Sequence, residues 1–265
     1  MVAAVSAKVA FLIGHVHDAK LQIDLEIENR RFGDTIVGNF IDSYENLTLK
    51  AVMGYRWLSE TCDSLPMLVK MDDDVLVDIP KFITSYREKI NPDGLKRRIF
   101  CNVWENAKVA RTGKWKIEKG LFSNTTYPFP YCSGFFVLVT PDLVKSMYEV
   151  GKDIDFFWVD DVFVYGMVPA AIKNVTFVNI GDTVDYIARY RHSYKRCLNK
   201  NGWKCKTFGV LTSGIENFKE LHAQTKKLYM SNSSLLTNAS EAVPAVSSKN
   251  PGEKLGKKAD PIKAQ

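Results

Sequence analysis

Apolar positions along this chain come in short runs, and the runs alternate between two periods. Val9 to Ile13, closed by Gly14, has the brevity of a strand, and Thr35 to Val37 that of a second. Between them Asp18 to Arg31 is polar and charged, with carboxylates at Asp24, Glu26 and Glu28. The period then changes. Tyr44, Leu47, Ala51, Tyr55 and Leu58 recur at near-helical spacing and predict an amphipathic helix over 43–60. Asp42 stands before it as the expected N-cap, with Glu45 three residues on as its capping-box partner. Leu65 to Val69 is almost unbroken in its apolar character, the pattern of a strand covered on both faces. Strand, helix, strand predicts a β-α-β arrangement and hence a parallel sheet.

The run ends in Asp72, Asp73 and Asp74, and Val75 to Val77 follows at once. Asp78 and Pro80 suit the first turn of a helix whose core face is Ile79, Phe82, Ile83, Tyr86 and Ile90, stopped by the turn residues 91–94. Arg98 to Val103 reads as a strand. Trp104 to Pro130 is aromatic and basic with little periodicity, and a long irregular stretch of this kind is usually functional or mobile. Tyr131 to Val139 is a strand entered through Ser133 and Gly134. Thr140 as N-cap and Pro141 open a helix that Gly151 closes. Asp153 to Trp158 forms an acidic, aromatic loop leading to Asp160 and Asp161. Residues 162–172 can be helical, bent or ended by Pro169. A second capping box, Ser213 with Glu216, precedes a last helix marked by Ile215, Phe218, Leu221, Thr225 and Leu228. From Ser231 the chain has no aromatic residue. The expected organisation is one catalytic domain over 1–230 and a disordered tail over 231–265.

The 265 residues suffice for one large α/β domain or two small ones. A net charge of +6 from scattered basic residues gives no stripe for nucleic acid. No run reaches the roughly 18 to 20 apolar residues that span a bilayer, and Met1 to Lys8 is too short and too weakly apolar for a signal peptide, so the chain as given reads as soluble. Five cysteines, at 62, 101, 132, 197 and 205, have no zinc spacing. They fit either buried free thiols or up to two disulfides with one thiol left over. Five glycosylation sequons, beginning at Asn46, Asn124, Asn174, Asn232 and Asn238, favour a secretory lumen.

Two acidic clusters carry the candidate chemistry. In Asp72-x-Asp74 the outer carboxylates of an extended strand end point the same way, and hard oxygen ligands suit Mn²⁺ or Mg²⁺ shared with phosphate oxygens. The rival is a solvated acidic turn. Asp160 and Asp161 can supply a carboxylate general base; the rival is a helix N-terminus that favours negative charge. Trp104, Trp115, Tyr127, Phe129, Tyr131, Phe156, Phe157 and Trp158 flank both clusters, where they can stack on sugar rings or simply pack the core. The four histidines form no HExxH pair, and there is no GxGxxG, no P-loop and no Gly-x-Ser-x-Gly elbow.

Four ordered blocks bear a family resemblance. Glu28 to Ile36 with Phe40 to Lys50 is similar to E-x-x-x-Y-G-D-I and D-F-x-D-S-Y-x-N-L-T-L-K; Val69 to Val77 is similar to V-K-x-D-D-D-V-F-V. Tyr127 to Gly134 resembles Y-P-x-Y-C-x-G, and Asp160 to Phe163 resembles an E/D-D-V block. Together they resemble the β-1,3-galactosyltransferase family, which also holds β-1,3-N-acetylglucosaminyltransferases. The resemblance implies an α/β fold of GT-A type, with a mostly parallel central sheet flanked by helices. It implies a UDP-sugar donor (UDP-Gal or UDP-GlcNAc), an Mn²⁺ ion, with Mg²⁺ as substitute, held by Asp74 and Asp72, and an acceptor glycan on a glycoprotein or glycolipid. Lys70, Asp72, Asp73, Glu28 and Asp34 are then expected at the donor, and Trp104, Tyr131, Gly134 and Trp158 at the acceptor. Asp161 or Asp160 would deprotonate the acceptor 3-hydroxyl, with Asp161 preferred.

Family members are Golgi proteins with a membrane anchor and a first strand leading to R-x-x-I-R-x-T-W; this chain begins after that point, so membrane association is expected only through an anchor it lacks. The family's histidine before the last helix has no counterpart at 207–211, which leaves His192 as the candidate for a further metal ligand. The rivals to an inverting hexosyltransferase are an inactive, truncated protein of the same fold and, on the triple Asp alone, a Mg²⁺-dependent phosphohydrolase.

Overall fold

The computed structural model describes residues 7–62, 64–185 and 193–231. It is a mixed α/β structure. In chain order it comprises β1 (Phe11–His15), α1 (Ala19–Phe32), β2 (Thr35–Ile41), α2 (Leu47–Thr61), β3 (Leu68–Met71), β4 (Val75–Val77), α3 (Ile79–Ser85) and β5 (Arg98–Trp104). There follow β6 (Tyr131–Val139), α4 (Val144–Gly151), α5 (Asp160–Val162), α6 (Val168–Ala171), β7 (Thr176–Asn179), β8 (Val184–Asp185), α7 (Ser193–Asn201), β9 (Gly209–Leu211) and α8 (Ile215–Ser231). The expected tail falls outside the described residues.

β6 is the middle of the molecule. Eight of its nine residues are buried, because the side chains of alternate positions enter cores on opposite faces. Cys132, Val137 and Val139 face one core with Val52 and Tyr55 of α2, Met147 of α4 and Val162 to Tyr165. Phe136 and Leu138 face the other with Phe82 of α3 and Phe208. There Phe82, Phe136 and Phe208 meet pairwise at ring separations of 5.2 to 5.7 Å, and each buried ring is worth about 1.5–3 kcal/mol.

The central sheet runs β3-β6-β5-β7. β6 is antiparallel to β3 and to β5, and only β5 and β7 are parallel, so the sheet is mixed where a mostly parallel one was expected. The parallel β-α-β unit exists one step earlier. It joins β1 to β2 through α1, and β3 does not pair with β2. The disulfide Cys101–Cys132 ties β5 to β6, and Cys197–Cys205 closes α7 onto the following turn; Cys62 is the free thiol.

Several boundaries differ from the sequence expectation for local reasons. The polar segment from Asp18 to Arg31 falls on α1, which Asp18 caps, its Oδ1 accepting from the N–H groups of Lys20 and Leu21 at 2.8 and 3.0 Å. Gly33 ends it in the left-handed conformation, at φ 64°. None of its residues is buried, so no apolar stripe announces it. Asp42 does not cap α2. Its carboxylate accepts from Gly14 N–H at 2.7 Å and pairs with Lys50 at 2.8 Å, tying β1 to α2. At Ser213 the backbone N–H donates to Asn217 Oδ1, while Glu216 pairs with Lys219. Sequon Asn46 spends its side-chain amide on the Ile41 carbonyl at 2.8 Å, which suits retention of this residue for packing.

Candidate active site

Between Phe100 and Asn102 the β5–β6 ladder slips: two steps along β5 face five along β6, from Leu138 to Ser133. This bulge lifts Gly134 out of regular pairing and turns its backbone toward the end of β3. Asp72 N–H donates to the Phe135 carbonyl at 3.0 Å, which seats the acidic turn against the bulge.

Lys70 joins the two strands. Its Nζ donates to Asp72 Oδ1 at 2.5 Å and to the Gly134 carbonyl at 2.6 Å. From the other side comes Asp161, at the start of α5. A Cβ added to Gly134 would overlap the Asp161 Oδ1 atom, so only glycine admits this carboxylate. Backbone Gly134, Lys70, Asp72 and Asp161 therefore form one cluster from two strand ends and a helix start.

Charge in the cluster is unbalanced. Burial pushes the Asp161 carboxyl up, the neighbouring Asp160 charge pushes it further, and Lys70 and the Gly134 backbone pull it back; the result is about 7. Asp160 is raised as well, by burial first, against the pull of Lys70. Burial would depress the Lys70 ammonium, but Asp72, Asp161 and Asp160 hold it above its ordinary value. Asp74 is raised by burial and by the charges of Asp72 and Asp73, with no ion pair of its own among the described residues. Its backbone is held by Thr212, whose N–H and hydroxyl both donate to the Asp74 carbonyl, at 2.8 and 2.7 Å. Nothing in the sequence before Thr212 signalled this clamp; it depends on β9 pairing with β4.

Among the described residues no three His, Cys, Asp or Glu side chains converge as a closed metal cage. The donor set at Asp72 and Asp74 nevertheless fits Mn²⁺ or Mg²⁺, which usually take one or two carboxylates and complete their shell with water and phosphate oxygens. The crowding that raises Asp74 is what a divalent cation relieves. His192 lies outside the described residues.

The other sequence candidates are placed as follows. Trp104 and Tyr131 are direct partners across β5 and β6, three residues before Gly134, and Trp104 is exposed. Trp158 precedes the acidic pair and meets Tyr44 edge-on at 6.4 Å. Asp73 is exposed beside Asp72. Glu28 is exposed on α1, and Asp34 lies at the N-terminal start of β2, where its carbonyl accepts from Phe11 N–H and its Oδ1 is buried without a partner. No described hydrogen bond or ion pair links Glu28 or Asp34 to the acidic turn. Residues missed by sequence reasoning are Tyr44 and Lys114, which sit against Trp115 and Trp158. No helix among the described residues is long and apolar enough to cross a membrane.

A family model described as galactosyltransferase matches residues 2–178. Beta-1,3-galactosyltransferase 1 of Homo sapiens is 33% identical over 156 residues, 58% of this chain and 47% of that protein. The same figures hold for its Mus musculus counterpart. Beta-1,3-galactosyltransferase 5 of Homo sapiens is 30% identical over 164 residues, 62% of this chain and 52% of that protein. The chain spans about half the length of these curated relatives. The matched region holds β3, the acidic turn, the β6 bulge and Asp160-Asp161, and by this match over most of its length the chain belongs to the galactosyltransferase family.

Proposed function

We propose that this chain is the catalytic domain of an inverting, divalent-metal-dependent glycosyltransferase of GT-A type, moving galactose or N-acetylglucosamine from a UDP-sugar to the 3-hydroxyl of a glycan. The observation that carries the reading is the contact of Asp161 with Gly134, one residue's backbone away from the Lys70–Asp72 pair. It joins a carboxyl that titrates near neutrality to the strand end that carries the acidic turn.

The division of labour follows from the electrostatics. Asp72 and Asp74 would hold the metal ion, which when bound supplies positive charge to the leaving diphosphate. Lys70 fixes Asp72 and limits repulsion between the two acidic clusters. Asp161 accepts the acceptor hydroxyl proton; at about 7 its carboxyl is half ionised at neutral pH and basic enough to take it. Gly134 fixes where that carboxylate points. Attack from the Asp161 side, opposite the diphosphate, inverts the anomeric carbon. Trp104, Tyr131 and Trp158 are proposed on the acceptor side. Two disulfides suit an oxidising lumen, which supports a Golgi location. The domain is proposed to end with α8.

The test is UDP release from UDP-Gal and UDP-GlcNAc, with and without Mn²⁺ and a glycan acceptor. Release that needs Mn²⁺ and acceptor, and that is lost in Asp74→Ala and Asp161→Asn, is expected. Absence of both release and UDP binding leaves the inactive-protein reading, and phosphate release from simple esters favours the phosphohydrolase.

A further inference from the structure

The segment between β5 and β6 is a built flap. Lys108 and Thr126 bridge across its base, Val109 N–H donates to the Thr125 carbonyl at 2.9 Å, and Ile117 is buried beneath it. The Arg111 guanidinium donates to the carbonyls of Ile117, Glu118, Leu121 and Phe122, so the turn is closed from inside. This rigid base presents Lys114 and Trp115 at the flap's edge.

Those two residues dock on Tyr44. Trp115 Nε1–H donates to the Tyr44 hydroxyl oxygen at 2.8 Å, and Lys114 Nζ lies 3.9 Å from the Tyr44 ring centroid. Tyr44 in turn meets Trp158. Trp158 is two residues from Asp160, and its neighbour Phe157 is pinned through its carbonyl by the Thr48 hydroxyl at 2.7 Å. The platform is therefore continuous with the loop that delivers Asp160 and Asp161.

Simple fastening of the flap does not account for its chemistry. Trp115 keeps 48% and Tyr44 39% of their surface in solvent, although rings that serve only as core are covered. The Tyr44 oxygen is used as an acceptor, which leaves its O–H free to donate outward. Lys114 and Lys116 have no carboxylate partner among the described residues, and residues 108–119 hold five basic side chains against Glu118 alone. Flat aromatic faces take the C–H faces of pyranose rings, and an unpaired ammonium held at fixed height beside them selects a sugar that carries negative charge.

We propose that Tyr44, Lys114 and Trp115 form an acceptor subsite for an anionic saccharide, one bearing a carboxylate or sulfate. Its ring packs on Trp115, its acidic group pairs with Lys114, and its chain runs past Trp158 toward Asp161. The inference rests on the proposed function only in assigning Asp161 to the acceptor side.

The experiment is calorimetric titration of the full chain, without donor, by three disaccharides: glucuronate-bearing, sulfated and neutral. Anionic sugars are expected to bind at least tenfold more tightly than the neutral one, less so at high salt; the two anionic arms show which acid is preferred. Lys114→Gln, an exposed change, should erase that preference and leave neutral binding intact, and Trp115→Ala should weaken all three by about tenfold. Equal affinity for neutral and anionic sugars, a preference that survives Lys114→Gln, no binding at all, or competition by UDP would each overturn the proposal. Because the titration needs no donor, saccharide binding by a chain that releases no UDP in the separate UDP-sugar assay would sink the transferase reading and leave this subsite standing. Turnover with no anionic preference would do the opposite.

Discussion

Gly134 and Asp161 stand so close that the space a Cβ would fill at position 134 is already taken by the Asp161 carboxylate oxygen. Gly134→Ala must therefore displace Asp161 while leaving its chemistry and its neighbours unchanged. A misplacement on the order of 1 Å costs about 100-fold in rate, so kcat should fall by that factor with UDP affinity preserved. Steady-state kinetics beside UDP titration checks this. Wild-type kcat in a folded Gly134→Ala protein would remove Asp161 from the reaction.

The charge of Lys70 reaches both acidic clusters, and it lowers the carboxyls of Asp74, Asp160 and Asp161. Lys70→Met takes that charge away and keeps the stem's bulk. The acidic limb of the pH–rate profile should then move to higher pH, because ionised Asp161 loses its counter-charge. At pH 7 the rate should drop by about fivefold for the first unit of that movement and about tenfold for a further unit, with recovery at pH 9. A profile that keeps the wild-type midpoint would show that Lys70 acts only as a strut.

In the wild-type protein kcat/KM should rise with pH and reach half its plateau near pH 7, where Asp161 ionises. Stability should move the other way. The folded carboxyl is raised above its unfolded value of about 4, so between pH 4 and 7 the folded chain holds a proton the unfolded chain has released, and this group's contribution to stability declines as pH rises. Denaturation of wild type and Asp161→Asn without divalent ion, across that window, should show a downward slope that is smaller in the variant. Parallel slopes would mean Asp161 titrates as an ordinary exposed carboxyl.

The sequence was most informative where one residue's chemistry decides the structure. Asp78 caps α3 through Lys81 N–H, and the apolar run at 131–139 becomes a strand; the run at 65–69, expected to be covered on both faces, instead gives β3 with no fully buried residue. It was least informative where structure depends on distant partners. The α1 helix buries nothing, and its apolar residues Leu21, Ile23, Leu25 and Ile27 alternate with the period of a strand, while Asp42 left its expected cap for Gly14 and Lys50. Strands β7, β8 and β9 are two to four residues long and take their pairing from strands far away in sequence. The Thr212 clamp on Asp74 is a consequence of that pairing, and so is invisible in the acidic motif itself.

Cys101 and Cys132 are both fully buried and bridge β5 to β6 beside the bulge. The closed loop of 31 residues includes the whole flap, and constraining it in the unfolded chain is worth about 3–4 kcal/mol. The double variant Cys101→Ala, Cys132→Ala should lose about that much in urea denaturation. The Cys197–Cys205 loop, of 8 residues, should cost clearly less. Equal losses from the two bridges would contradict the loop-length argument.

Arg111 tests whether the flap is a device for presenting Trp115 or merely a covering. Its guanidinium satisfies four carbonyls that no other described side chain reaches, and it lies at a distance in sequence from both acidic clusters. Arg111→Ala should release the turn at 112–122 while β5, β6 and their disulfide hold the sheet. Trypsin should then cut at Lys114, Lys116 or Lys119 at least tenfold faster, with little change in the unfolding midpoint. If the flap serves the acceptor, KM for the glycan should rise by about tenfold and KM for the UDP-sugar should stay constant. A rise in both would place the flap over the donor, and faster proteolysis with unaltered kinetics would reduce it to a cover.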